Sequence, residues 1–109
     1  MLNEKLVLVT GASRGIGRSI ALTLGAAGAT VIGTATSDEG AANISKIFTE
    51  NNILGKGMKL NVTDNDQISN LLKSITEDYG SVDILINNAG ITRDNILVRM
   101  KEDEWDDII

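Results

Sequence analysis

A chain of 109 residues has room for one domain, and its 42% apolar content is enough to build a buried core. The net charge of -5 argues against the basic face that nucleic acids and anionic membrane surfaces require, and no apolar run approaches the ~18 residues of a membrane span. Without Cys or His, the chain excludes disulfides, thiol nucleophiles, zinc sites built on those residues, and Ser-His-Asp or Cys-His catalysis within its own length. The segment Met1 to Lys5 lacks the charged-then-apolar pattern of a secretory leader and is not read as a signal peptide; the absence of Cys, His and Pro fits a cytoplasmic location, which is expected.

The first element is Lys5-Leu6-Val7-Leu8-Val9-Thr10, a β-rich run ending at Gly11. Apolar residues at successive positions suit a strand covered on both faces. Ile16, Ile20 and Leu24 then recur every fourth residue, marking one face of a helix that Gly25 and Gly28 bring to an end. Thr30 to Ala35 is the expected second strand. Ser37 is a candidate N-cap, with Asp38 and Glu39 in the first turn, where negative charge favours a helix. Ile44, Ile47 and Phe48 mark the inner face of that second helix.

A loop is expected from Asn51 to Gly57 and a short third strand from Met58 to Val62. Thr63 is a candidate cap for a third helix, with Ile68, Leu71, Leu72, Ile75 and Tyr79 as its apolar stripe and Gly80 as its end. Val82 to Asn87 is the fourth strand. After Gly90 the pattern weakens, and a helix is expected to start near Lys101. Strict alternation of strand and helix calls for an α/β fold with helices on both faces of a parallel sheet. Right-handed crossovers then give the strand order 3-2-1-4, the first half of a doubly wound sheet.

The most informative stretch is Thr10-Gly11-Ala12-Ser13-Arg14-Gly15-Ile16-Gly17. It lies where a strand hands over to a helix, and the unpaired amides and positive end of a helix attract phosphate there. In this reading Gly11 makes the turn, Gly15 lets the backbone approach a pyrophosphate, and Gly17 lets helix and strand pack closely. The P-loop pattern G-x-x-x-x-G-K-[ST] fails here, because Ala12 stands at its first glycine and Arg18 at its lysine.

The spacing from Thr10-Gly11 to Gly17 resembles the T-G-x-x-x-G-x-G fingerprint of the short-chain dehydrogenases/reductases, and Asn87-Asn88-Ala89-Gly90 resembles their N-N-A-G signature. Further segments are similar to the bacterial branch that reduces 3-oxoacyl thioesters of acyl carrier protein in type II fatty acid synthesis. These are Ile32-Gly33-Thr34-Ala35-Thr36-Ser37, Leu60-Asn61-Val62-Thr63-Asp64, Gly90-Ile91-Thr92-Arg93-Asp94-Asn95, Arg99-Met100-Lys101 and Glu104-Trp105. The resemblance implies a Rossmann-like fold over residues 1–109, the cofactor NADP(H), an acyl carrier protein thioester as substrate and a homotetramer in the full-length form.

The resemblance also implies a set of cofactor contacts. Gly11, Ala12, Ser13, Arg14, Gly15, Ile16 and Gly17 would meet the phosphates and ribose, and Thr36 the 2′-phosphate. Asn61 and Val62 would flank the adenine, and Asn88, Ala89 and Gly90 would line the nicotinamide side. Asn61 departs from the wider family, where Asp is usual, but its side-chain carbonyl still accepts a hydrogen bond.

Charge at the end of the second strand separates NAD from NADP, because a carboxylate there binds the ribose 2′-OH and repels a 2′-phosphate. The strand ends Gly33-Thr34-Ala35-Thr36-Ser37 with no acid before Asp38, which is read as a first-turn helix residue rather than the ribose ligand. Arg14 offers a guanidinium suited to a phosphate monoester. For Asn87 the expected role is to satisfy turn backbone, and for Asn88 it is cofactor contact.

The resemblance implies catalysis by Tyr, by a Lys four residues later, by Ser and by an Asn that would lie just beyond Ile109. The only Tyr is Tyr79, followed four residues later by Asp83, and it is expected to pack on the third helix. No catalytic residue is therefore assigned. The chain reads as the cofactor-binding portion of a reductase, inactive alone and with an open, aggregation-prone sheet edge. A reductase of another carbonyl substrate, a non-catalytic NADP(H)-binding module and a remnant that binds nothing remain as alternatives.

Overall fold

The computed structural model describes residues 2–60, 65–88 and 97–100. The elements run β1 (Leu6–Thr10), α1 (Gly15–Ala26), β2 (Thr30–Ala35), α2 (Asp38–Glu50), β3 (Leu54–Lys59), α3 (Asn65–Asp78), β4 (Ile84–Asn87) and β5 (Leu97–Met100). They form a five-stranded sheet ordered β3-β2-β1-β4-β5. Strands β1 to β4 are mutually parallel, in the expected order, and β1 sits between β2 and β4.

Residue alternation along β1 explains the layering. Val7 and Val9 face one side of the sheet, where Ala21 of α1 and Ile44 and Phe48 of α2 join the same buried cluster. Leu6 and Leu8 face the other side, with Leu71 and Ile75 of α3. Successive side chains of a strand point to opposite faces, so one uninterrupted apolar run serves two cores. Each of these buried Val, Leu, Ile and Phe side chains contributes roughly 1.5–3 kcal/mol. The chain thus lays α1 and α2 on one face while moving from β1 outward to β3, then crosses to the other face with α3 before β4. The direction of winding reverses at β1, which is where an open α/β sheet forms a crevice at its strand ends.

Several expectations are corrected. The third strand starts at Leu54, inside the segment read as a loop, and ends at Lys59. Its run Leu-Gly-Lys-Gly-Met-Lys has no strand-like alternation of apolar residues, and its place is set by backbone pairing to β2 from Thr30↔Leu54 to Ala35↔Lys59. The expected end of that strand at Asn61 and Val62, and the Thr63 cap, lie outside the described residues. The fourth strand begins at Ile84 rather than Val82, although Val82 is buried.

Strand β5 is new. It pairs antiparallel with β4 from Ile84↔Met100 to Asn87↔Leu97, so β4 is not the open edge that was expected. The helix expected near Lys101 lies outside the described residues.

The helix faces also shift. Ile16 is 52% exposed, and the residues of α1 that are fully buried are Gly17 and Ala21, with Ile20 and Leu24 half-buried beside them. Small residues let this helix approach the sheet closely, and the larger ones flank the contact. Leu72 is exposed because it points about 100° away from Leu71 around α3. Tyr79 follows the last residue of α3 and is 40% exposed, a rim position that suits its amphipathic ring, rather than packed in the core. Gly25 lies within the last turn of α1, against Ile53, while Gly28 and Gly80 follow the ends of their helices.

Candidate functional site

The carboxyl ends of β1, β2 and β4, with Leu60 just past β3, surround a cleft of about 390 Å³. Its lining is Gly11, Ser13 and Arg14 from the β1–α1 loop, Gly15 and Ile16 from the start of α1, Thr34 and Ala35 from the end of β2 and Thr36 just after it, with Leu60 and Asn88. Seven of the expected ligand contacts thus converge on one space: Gly11, Ser13, Arg14, Gly15, Ile16, Thr36 and Asn88. Ala12 and Gly17 lie behind it, both buried. Asn61, Val62, Ala89 and Gly90 lie outside the described residues. Thr34, Ala35 and Leu60 were not foreseen as lining; the signal available was Thr34 itself, a polar residue inside an apolar strand.

Backbone geometry at the loop explains its residue types. Gly15 opens α1 with φ 64, in the left-handed region where a side chain is disfavoured. A Cβ on Gly17 would collide with the carbonyl oxygen of Gly11 and come within 2.7 Å of the Asn88 side-chain nitrogen. Only a glycine at 17 lets the helix sit this close to the loop.

A hydrogen-bonded frame ties the loop to β2 and β4. Gly11 donates its amide to Thr34 Oγ1 at 3.1 Å, and Ala12 donates to the Thr34 carbonyl at 2.8 Å. The Asn88 side chain donates to the Gly11 carbonyl at 3.1 Å. Thr10 Oγ1 accepts from the Asn88 amide at 3.0 Å and donates to Asn87 Oδ1 at 3.1 Å. Asn87 thus bonds a side chain at the end of β1, where a bond to turn backbone was expected, and Asn88 has a structural bond in addition to its place in the cleft.

The two helices that start near the cleft have opposite electrostatic characters. At α2, Ser37 accepts from the Gly40 amide at 3.0 Å, and Asp38 and Glu39 occupy the first turn, so the positive end of the helix is answered from within. At α1, the cap residue Arg14 makes no side-chain cap bond and the first turn holds no acid. The opening amides of a helix have no intrahelical acceptor, and here a guanidinium adds positive charge beside them. Such a helix start can receive an external anion. Asp38 is exposed and is not among the residues lining the cleft. Among the described residues, no helix is long and apolar enough to cross a membrane.

Fold and cleft together define an open, doubly wound α/β protein with an anion-receptive crevice at the strand ends. The family model described as short chain dehydrogenase matches residues 5–109, and the chain belongs to that family. Family membership implies a nicotinamide cofactor, and the uncapped start of α1, Arg14 and the open cleft fit its phosphates.

The chain is 63% identical over 108 residues to a 3-oxoacyl-[acyl-carrier-protein] reductase of Vibrio harveyi, covering 99% of this chain and 43% of that protein. It is 62% identical over 105 residues to the protein of the same name from Escherichia coli (strain K12), covering 96% and 42%. The Pseudomonas aeruginosa protein of that name is 52% identical over 108 residues, covering 99% and 44%. The chain therefore spans less than half the length of these relatives.

Proposed function

We propose that residues 1–109 form the N-terminal, NADP(H)-binding portion of a 3-oxoacyl-[acyl-carrier-protein] reductase, whose whole form reduces an acyl carrier protein thioester in bacterial fatty acid synthesis. The observation that carries the reading is the cleft itself, with the uncapped start of α1 on one wall and Arg14 and Thr36 at its rim. The names of the relatives, at 52% identity and above, supply the substrate class.

When bound, NADPH supplies a hydride for a carbonyl carbon. The residues of this chain bind and orient. The amides of the glycine loop and of the first turn of α1 take the diphosphate. The Arg14 guanidinium pairs with the 2′-phosphate, with Thr36 beside it, which favours NADP(H) over NAD(H). Asn88 borders the nicotinamide side, joined by Ala89 and Gly90, and Asn61 and Val62 flank the adenine. Proton delivery to the carbonyl oxygen is not assigned to any residue here: the single Tyr, Tyr79, is followed four residues on by Asp83, and the Asp83 carboxylate accepts the Leu6 amide at 2.9 Å. The chain supplies cofactor binding, in a cytoplasmic enzyme that assembles as a homotetramer.

The test is to assay the longest open reading frame encoding this chain for NADPH oxidation with a 3-oxoacyl thioester. Turnover that requires the thioester and prefers NADPH to NADH supports the proposal. No turnover with that substrate, alongside turnover of an unrelated ketone, would assign a different reductase.

A further inference from the structure

Thr34 is 1% exposed and is one of two buried polar residues among those described, the other being Thr10. It lies on β2, where the pairing Val9↔Gly33 places it next to the end of β1. Its two oxygen acceptors serve successive amides of the glycine loop: the hydroxyl takes Gly11, and the carbonyl takes Ala12. The loop is held from the opposite side by Asn88 on the Gly11 carbonyl.

We propose that Thr34 is a positioning residue for the dinucleotide site, clamping the first two peptide units of the loop so that the donors after them are presented to the ligand. The inference rests on the reading of the cleft as the NADP(H) site. Two consequences follow. The amides of Gly11 and Ala12 are already committed to β2, so the diphosphate draws on donors that come later, up to the first turn of α1. The loop is also fixed before ligand arrives, which lowers the ordering cost of binding. A valine in place of Thr34 keeps the branched shape and leaves the part-buried Gly11 amide without its acceptor, whereas a serine keeps the acceptor.

The experiment takes the folded protein encoded by the whole open reading frame as parent and compares it with Thr34→Val and Thr34→Ser by NADPH titration and by amide hydrogen exchange without cofactor. In the parent, the Gly11 and Ala12 amides are protected. In Thr34→Val, exchange at Gly11 accelerates by about tenfold while Ala12, bonded to a main-chain carbonyl, stays protected, and the NADPH dissociation constant rises by about tenfold. Thr34→Ser stays within about threefold of the parent in both readouts. Parent-like NADPH affinity in Thr34→Val, with the parent binding normally, overturns the clamp and leaves the site assignment standing. Absence of NADPH binding by the parent overturns both. Should Thr34→Val fail to fold, the parent decides: rapid exchange at Gly11 contradicts the clamp, and protection there together with parent-like behaviour of Thr34→Ser supports it.

Discussion

The side-chain amide of Asn88 donates to the backbone carbonyl of Gly11 at 3.1 Å, joining residues 77 apart in sequence. The bond links the end of β4 to the loop that leaves β1, so the two sides of the switch point share one frame. Removing it in Asn88→Ala is expected to cost about 1 kcal/mol, a drop in melting temperature of about 4–8 °C for a domain of this size. Thermal denaturation followed by circular dichroism measures this. A melting temperature equal to that of the parent would show that the bond adds nothing.

Gly17 faces the same bond from the helix side. A methyl group there meets the Gly11 carbonyl and the Asn88 nitrogen, so Gly17→Ala must displace either α1 or the frame. Overpacking of this kind costs about 1–3 kcal/mol, and the displaced helix start no longer faces the diphosphate. NADPH affinity is expected to fall by more than tenfold, while Gly15→Ala, whose methyl group meets nothing within 4 Å, disturbs packing less and acts through its φ of 64. Equal affinity of Gly17→Ala and the parent would contradict the close-approach account.

Arg14 is exposed at the rim of the cleft and makes no side-chain cap bond to its own helix. A guanidinium has no acceptor with which to cap a helix, and this one lines the cleft, within reach of a ligand phosphate. Arg14→Ala is expected to weaken NADPH binding by about ten- to a hundredfold, with little change for NADH, as a charge-assisted bond to phosphate is lost. Titrations with both cofactors decide the matter; unchanged preference for NADPH in the variant refutes the assignment.

The core makes a separate prediction. Phe48 is 2% exposed and packs with Ile44 in the cluster between α2 and the sheet. Phe48→Ala is expected to cost about 3–5 kcal/mol, a large part of the ~5–15 kcal/mol that typically holds a domain together. Ser37→Ala, which removes only the cap of α2, is expected to cost about 1 kcal/mol. Urea denaturation of both variants checks the order, and a larger loss for Ser37→Ala would be inconsistent with it.

Much of this was legible in the residues. The apolar run of β1 already implied a strand covered on both faces, and Ser37 with Asp38 and Glu39 announced the start of α2. What escaped has identifiable causes. Strand β3 holds its place by backbone pairing to β2, which leaves no mark in a glycine-rich run. The packing face of α1 is built on Gly17 and Ala21, whereas periodicity draws the eye to large residues such as Ile16. Strand β5 pairs with β4 through a partner that no local pattern identifies. At the site, the loop residues stood out by spacing. Thr34 did not, because its role depends on the register between β1 and β2, and register belongs to the folded sheet.

The proposed seat of the NADP(H) phosphates is the stretch from Ser13 to Gly17, at the start of α1. The most direct measurement is a titration of the isotopically labelled chain with NADPH, following backbone amide resonances. The account predicts saturable binding, tighter than for NADH, with the largest shifts at Ser13 to Gly17, Thr36 and Asn88. Binding with its largest shifts elsewhere, or no saturable binding to a folded chain, would contradict it.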